Sequence, residues 1–403
     1  MTSKKPIKAL KTIFLIVFVA TGTVLFAQAT FTQSYGTADY YERGNSVMQI
    51  PDGGYIITGR TVRFGSGGGV NAYLVRVDKN GKMLWEKSFG GKGSEEGLSV
   101  RATDDGGYII AGFTNSFGAG AADVYLVKTK ADGSEEWSKT YGGTGIDKAH
   151  SVKQTRDGGY IITGETYSFG NGWVNCYLIR TNEKGDTLWT KVYGGNGIEE
   201  GNSVFETADG GFVITGATNS FGAGDYDVYL IRTDSKGNML WMQAFGGSGP
   251  ERGLCVEEAR DGGFILSGYT ESFGSGGVDI YLIKTNAKGE QEWVNTFGGK
   301  TDEYGNCVVQ TRDDGFAVCG STNSYGKGGT DVYLLDITKE GEMTWSKTYG
   351  TSTDESANCL QQTLDGGYVM VGSAVKFSEN GQNSEKVKDV YLVKTGPRGQ
   401  MNE

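Results

Sequence analysis

The chain has 403 residues and a net charge of −10. Its acidic balance leaves no basic surface for nucleic acid or anionic lipid, so neither is expected as a partner. Its five cysteines are odd in number and unevenly spaced, which excludes the disulfide framework of a small secreted domain.

The first element is a leader, MTSKKPIKALKTIFLIVFVATGTVLFAQA, in which Lys4, Lys5, Lys8 and Lys11 precede an uncharged apolar run closed by Ala27-Gln28-Ala29. This is the layout of a secretory signal peptide, with cleavage expected after Ala29. The apolar run from Thr12 to Ala27 is shorter than the roughly 20 residues a spanning helix needs. The expected organisation is a signal peptide over 1–29 and one domain over 30–403. The mature chain is expected to be secreted or periplasmic, monomeric and free of membrane insertion.

Next comes FTQSYG, Phe31 to Gly36, which has the form of a repeat fragment. The Asp that opens Asp-Gly-Gly, or Asp-Gly-Phe in one copy, recurs at Asp52, Asp105, Asp157, Asp209, Asp261, Asp313 and Asp365, a spacing of 53 once and 52 five times. Each copy holds four short runs of β-branched and aromatic residues bounded by Gly, Asp or Asn, exemplified by SVKQT, GYIITG, NCYLIR and LWTKVYG between Ser151 and Gly194. These read as four antiparallel strands joined by tight turns. Seven such units predict an all-β, closed seven-bladed β-propeller, because one blade cannot bury both its faces and must stack on neighbours. Trp85, Trp137, Trp189, Trp241, Trp293 and Trp345 begin the fourth strand of six copies, and Phe31 supplies the seventh. The N-terminal strand is therefore expected to complete the last blade and close the ring.

The run T-D-x-x-G-x-x-x-W resembles the tryptophan docking motif of propellers related to the pyrroloquinoline quinone enzymes. The pattern D-G-G-Y-I-I-T-G-x-T resembles a family of secreted microbial propeller repeats, over essentially all of Phe31 to Val393. The resemblance implies the fold and says little about function. It implies no quinone cofactor, since such enzymes usually have eight blades and a vicinal cysteine pair near the cofactor.

Two polar sets recur in every copy. Glu42, Glu95, Asp147, Glu199, Glu251, Glu303 and Glu355 stand four residues before the Ser or Cys of the first strand, in the loop from fourth to first strand. They are expected to accept backbone N–H bonds near the channel mouth, and the alternative is a cation ring, with calcium the candidate. Asn71, Asp123, Asn175, Asp227, Asp279, Asp331 and Asp389 open the third strand and are expected to satisfy local backbone. The recurrent Tyr73, Tyr125, Tyr177, Tyr229, Tyr281, Tyr333 and Tyr391 read as contacts between sheets rather than a sugar platform. The cysteines Cys176, Cys255, Cys307, Cys319 and Cys359 read as small residues on strands.

Variation among copies concentrates in the loop from second to third strand. One slot reads Arg60, Phe113, Glu165, Ala217, Tyr269, Ser321 and Ser373; two residues on it reads Val62, Asn115, Tyr167, Asn219, Glu271, Asn323 and Val375. The third copy adds Trp173 beside Asn171 and Gly172. Phe113, Asn115, Glu165, Tyr167, Asn171, Trp173, Asn219, Tyr226, Tyr269 and Glu271 form the candidate ligand set, aromatics and hydrogen-bonding groups suited to a glycan or an extracellular or envelope protein. The last copy carries a polar stretch from Phe377 to Asp389, expected as a surface loop.

Catalysis has little support. His150, the single histidine, takes a slot held elsewhere by Asn and reads as a loop residue, and no nucleophile-elbow, zinc or phosphate-loop motif occurs. A glycoside hydrolase of endoglucanase type would need two carboxylates in different environments, and Glu165 and Glu271 are its candidates. The expected function is a non-catalytic binding or scaffold propeller with its ligand on the loop face, a carbohydrate-active enzyme being the alternative.

Overall fold

The computed structural model describes residues 29–36, 41–62, 69–377 and 386–401; the leader lies outside the described residues. Period-two runs of Val, Ile, Tyr and Thr between Gly and Asp turns give strands throughout. The first is β1 (Phe31–Tyr35), and the first complete repeat gives β2 (Arg43–Gln49), β3 (Tyr55–Thr61), β4 (Asn71–Val77) and β5 (Met83–Phe89), paired antiparallel in that order. Later repeats do the same, starting from β6 (Glu95–Ala102), β10 (Asp147–Gln154), β14 (Glu199–Glu206), β18 (Glu251–Glu258), β22 (Glu303–Gln310) and β26 (Glu355–Gln362). Each of these first strands touches the first strands of both neighbouring blades, β26 against β2 included. They therefore line the axis of a closed seven-bladed β-propeller.

The last sheet runs β1-β28-β27-β26, with β27 (Tyr368–Phe377) and β28 (Lys386–Thr395). Phe31 pairs with Lys394 just as Trp85 pairs with Arg76, so β1 is the fourth strand of blade seven. Each fourth-strand aromatic lies under the turn of the next blade: a Cβ on Gly133 would meet the Trp85 ring at 2.6 Å, and one on Gly81 would meet the Phe31 ring at 2.6 Å. Those glycines also hold φ near +80°, which other residues adopt at a cost. The closing contact repeats the others in detail. Phe31 meets Tyr55 at 6.4 Å between ring centroids, as Trp85 meets Tyr108 at 6.2 Å. Tyr35 Oη donates to Gly81 O at 2.6 Å, as Tyr141 Oη does to Gly185 O. Such pairs add about 1 kcal/mol each to the area they bury.

The Asp of the Asp-Gly-Gly turn has a role beyond the turn. It pairs with a buried cation on the third strand: Arg76 with Asp52, Lys128 with Asp105 at 2.7 Å, Arg180 with Asp157, Arg232 with Asp209, Lys284 with Asp261 at 2.8 Å, and Lys394 with Asp365 at 3.0 Å. Blade six departs from this. Its turn reads Asp313-Asp314-Gly315 rather than Asp-Gly-Phe from Asp313, and Asp314 takes the left-handed place of the first glycine at φ 68°, which Asp tolerates better than most residues. Asp336 occupies the cation slot there, and burial raises its pKa.

Three expectations are corrected. His150 lies on β10, at the residue where the pairing with the second strand skips between Ala149 and Ser151; it is a bulge residue, not a loop residue. The acidic set begins the first strands: Glu95 pairs with Thr114 and Asp147 with Thr166, while Glu42 directly precedes β2. The polar stretch of blade seven is partly strand, since Phe377 pairs with Lys386 and Lys376 with Val387; residues 378–385 lie outside the described residues.

Lys394 and Asp365 are both buried, whereas the Asp105 carboxylate is more than half exposed. Breaking a buried pair strands a charge, so Lys394→Met is expected to cost about 3 kcal/mol in denaturant unfolding. Lys128→Met is expected to cost about 1 kcal/mol, because water can solvate Asp105.

Candidate functional site

The two recurrent polar sets are one feature, because they meet at the blade junctions. The third strand of one blade and the first strand of the next start side by side. A Cβ on Gly298 would lie 2.0 Å from Asp279 Oδ1 and 2.6 Å from Glu303 Oε2, and a Cβ on Gly350 would lie 2.1 Å from Asp331 Oδ1 and 2.6 Å from Glu355 Oε2. The same holds for Asp227 with Glu251, Asp123 with Asp147, and Asn71 with Glu95. These side chains are almost wholly buried. Glu303 accepts Gly299 N–H at 2.6 Å, Ser324 N–H at 3.0 Å and the Thr322 hydroxyl at 2.7 Å. Asp279 Oδ2 accepts Ser275 N–H at 3.0 Å. The acidic set thus ties each junction together, and among the described residues no three His, Cys, Asp or Glu side chains converge as a metal cage. Burial raises the carboxyls of Asp227, Asp279 and Asp331, and the facing Glu adds to it against the backbone hydrogen bonds.

The loop face carries a second band, built at the ends of the first two strands. Positions paired there are Glu96 with Phe113, Lys148 with Glu165, Glu200 with Ala217, Arg252 with Tyr269, and Tyr304 with Ser321. Side chains from these positions cross between blades. Lys148 Nζ lies 3.3 Å from Glu165 Oε1 and 5.5 Å from the Phe113 ring centroid. Arg252 pairs with Glu200 and lies 4.5 Å from the Tyr226 ring centroid. Tyr269 and Tyr304 meet edge to face at 5.2 Å. Burial works against the Arg252 charge, but the Glu200 carboxylate outweighs it and raises the guanidinium pKa. The Tyr167 phenol is raised by burial first and then by Glu165, Glu200 and Tyr226.

Of the candidate ligand set, the structure brings Glu165, Tyr167, Tyr226, Tyr269 and Glu271 into this one band. Phe113 is covered by Lys148. Asn115 and Asn219 are occupied locally: Asn115 Nδ2 donates to Ala121 O at 2.6 Å, and Asn219 Oδ1 accepts Ile198 N–H at 2.6 Å. Asn171 and Trp173 stand at the exposed tip of the blade-three loop, where Trp173 is 81 % exposed. The slot holding Phe113, Glu165 and Tyr269 is strand rather than loop. The sequence reading missed Lys148, Glu200, Arg252 and Tyr304. Their signal was present, since the residue after each recurrent acid changes from copy to copy within an otherwise uniform strand. Glu165 is held in an ion pair with Lys148, and Glu271 is solvent-exposed.

No known family model matches the chain. An alignment 211 positions long, which covers 45 % of this chain and 21 % of the other, shows 25 % identity to the regulatory protein FlaEY of Caulobacter vibrioides. The chain thus spans about a fifth of that relative's length. Among solved structures it is similar to the WD40 domain of Neurospora crassa Pan2, with a TM-score of 0.52, 10 % identity, and 89 % and 91 % of the two chains covered. It is also similar to a catalytically inactive virginiamycin B lyase from Staphylococcus aureus, at TM-score 0.50 and 11 % identity over 90 % of this chain and 99 % of that one. A puromycin hydrolase matches at TM-score 0.50 and 16 % identity over 83 % of this chain and 50 % of that one. At such identities the likeness shows the propeller fold alone.

Asp331 Oδ1 is buried without a hydrogen-bond partner among the described residues. A carboxyl raised by burial stabilises the fold while protonated and loses that contribution as pH rises above its ordinary value near 3.8. Asn already occupies this slot at Asn71 and Asn175. Asp331→Asn is therefore expected to add about 1 kcal/mol of stability at neutral pH, and thermal melts across pH should show the gain fading as the medium becomes acidic.

Proposed function

We propose that the chain is an exported binding propeller that holds a glycan on the loop face, across blades two to five, without catalysis. The observation that carries the reading is the exposure of Tyr167, 51 %, within the band of fixed ion pairs, together with that of Trp173, 81 %, at the tip of the same blade's loop. Large aromatic rings in water beside oriented polar groups provide stacking faces and hydrogen bonds for sugar hydroxyls. Lys148 with Glu165 and Arg252 with Glu200 give the band both signs of charge, which suits a polar ligand better than an apolar one. The leader pattern in residues 1–29 supports export, and so does the resemblance of the repeat pattern to secreted microbial propellers.

The carbohydrate-active alternative would use Glu165 and Glu271. It is disfavoured because the Glu165 carboxylate is already engaged by Lys148 at 3.3 Å and Glu271 stands exposed, whereas a glycosidase needs two carboxyls positioned to act on one glycosidic bond.

The test is a glycan and polysaccharide panel incubated with residues 30–403, scoring retention and reducing-sugar release together. Retention without release is expected, weakened by about fivefold to a hundredfold by Trp173→Ala or Tyr167→Ala, since each removes roughly 1–3 kcal/mol of ring contact. Release that disappears on Glu165→Gln or Glu271→Gln would establish the enzyme instead. With neither retention nor release, a protein partner on the same face becomes the reading, tested by pull-down with the same aromatic variants.

A further inference from the structure

The axial channel carries a chemistry that the loop face does not share. All seven first strands contribute to one cavity of about 420 Å³, whose wall includes Val47, Met48, Val256, Val309 and Leu360. Two cations stand in it, Arg101 from blade two and Lys153 from blade three, at the same position of their respective strands. Equivalent positions in the other blades hold Met48, Phe205, Glu257, Val309 and Gln361. Arg101 Nη1 donates to Val100 O at 2.6 Å and to Ser46 Oγ at 3.3 Å. These are neutral acceptors. Lys153 has no hydrogen bond, and neither cation has a carboxylate within ion-pair distance, among the described residues. Among the described residues Glu257 is the one carboxylate on the inner wall, and its Oε2 accepts Gln310 N–H at 3.2 Å; Asp104 lies at the exposed turn end. A protein of net charge −10 therefore keeps a locally positive, partly apolar interior.

Opposite the cations lie three thiols on the first strands of three successive blades. Cys255 Sγ and Cys307 Sγ are 3.8 Å apart, Cys255 Sγ donates to Val308 O at 3.5 Å, and Cys359 Sγ donates to Val47 O at 3.6 Å. In the other blades the slot holds Ser, as where Ser99 Oγ accepts Val152 N–H at 3.2 Å. Burial lowers the Lys153 pKa, Arg101 lowers it further, and Glu257 opposes both. Two like charges confined together with one opposite charge attract an anion.

We propose that this cavity is a binding site for a small organic carboxylate, its anionic group taken by Arg101 and Lys153 and its carbon skeleton lying along the valine, methionine and thiol wall. The volume is in the range of about 300–1,000 Å³ that small ligands occupy. Arg gives a forked donor and Lys a point charge, and together they fit one carboxylate or two. Glu257 would favour a ligand that also carries a donor. The site is independent of the glycan reading, since it lies inside the channel and uses none of the loop-face side chains.

Calorimetric titration of residues 30–403 with citrate and with succinate at low ionic strength tests it. Saturable binding of at least one probe is expected, weakened about tenfold by Arg101→Gln and by Lys153→Gln, a loss of about 1.4 kcal/mol for each charge removed. On the unaltered protein, the bound anion should slow alkylation of Cys255 and Cys359 by iodoacetamide, because it fills the space those thiols face. No saturable heat with either probe, binding that survives both substitutions, or alkylation rates unmoved at saturation would each overturn the assignment.

Discussion

The blade junction is the contact on which everything else in this molecule depends. A four-stranded sheet has two apolar faces, and here both are covered by other sheets. The buried clusters accordingly draw on adjacent blades, as where Ile56 and Leu74 of blade one pack with Val100, Tyr108 and Tyr125 of blade two. Burial on this scale is favourable only if the ring closes, since an open end would leave a sheet face in water. Blade seven meets that condition by taking β1, and Phe31 and Tyr35 reproduce at the closing junction the ring contact and the hydroxyl bond made elsewhere. Tyr35 is buried and its phenol pKa is pushed up, by burial first and then by Asp78 and Tyr55.

The junctions have three polar levels. At the turn end, the Asp of each Asp-Gly-Gly turn neutralises a buried cation in six blades. Near the axis, hydroxyl or thiol groups of one first strand reach the backbone of the next. At the loop end, a carboxylate accepts N–H and hydroxyl donors around the start of the first strand. Such groups are costly to bury unless satisfied, so each level also fixes the register between blades. The loop-end pairing is the least satisfied of the three. Carboxylates facing one another there set folding stability against pH, and the amides at Asn71 and Asn175 relieve the same contact in two blades.

Departures from the repeat are informative because the repeat is so regular. On the loop face they put aromatics and ion pairs into a band shared by neighbouring blades; in the channel they put Arg101, Lys153 and Glu257 where other copies carry neutral side chains. Neither group is needed for the ring, since other copies form blades without it. A structural requirement would act on every copy alike, which is why symmetry-breaking positions, rather than recurrent ones, are the places to look for function.

The sequence by itself determined the strands, the sevenfold repetition and the closure by FTQSYG, because these depend on local periodicity and on counting copies. It also displayed Trp173 and Tyr167, whose place on a loop follows from the repeat frame. It did not reveal that the Glu95 and Asn71 sets are one feature. Those residues lie 24 apart in the chain and belong to different blades, and only docking of the sheets brings their oxygens together. Nor did it reveal that Asp365 answers Lys394, that Lys148 holds Glu165, or that Arg101 and Lys153 share a cavity with three thiols. Each of these depends on the angle and spacing at which blades pack around the axis, and side-chain packing between sheets, rather than any local pattern, sets that geometry.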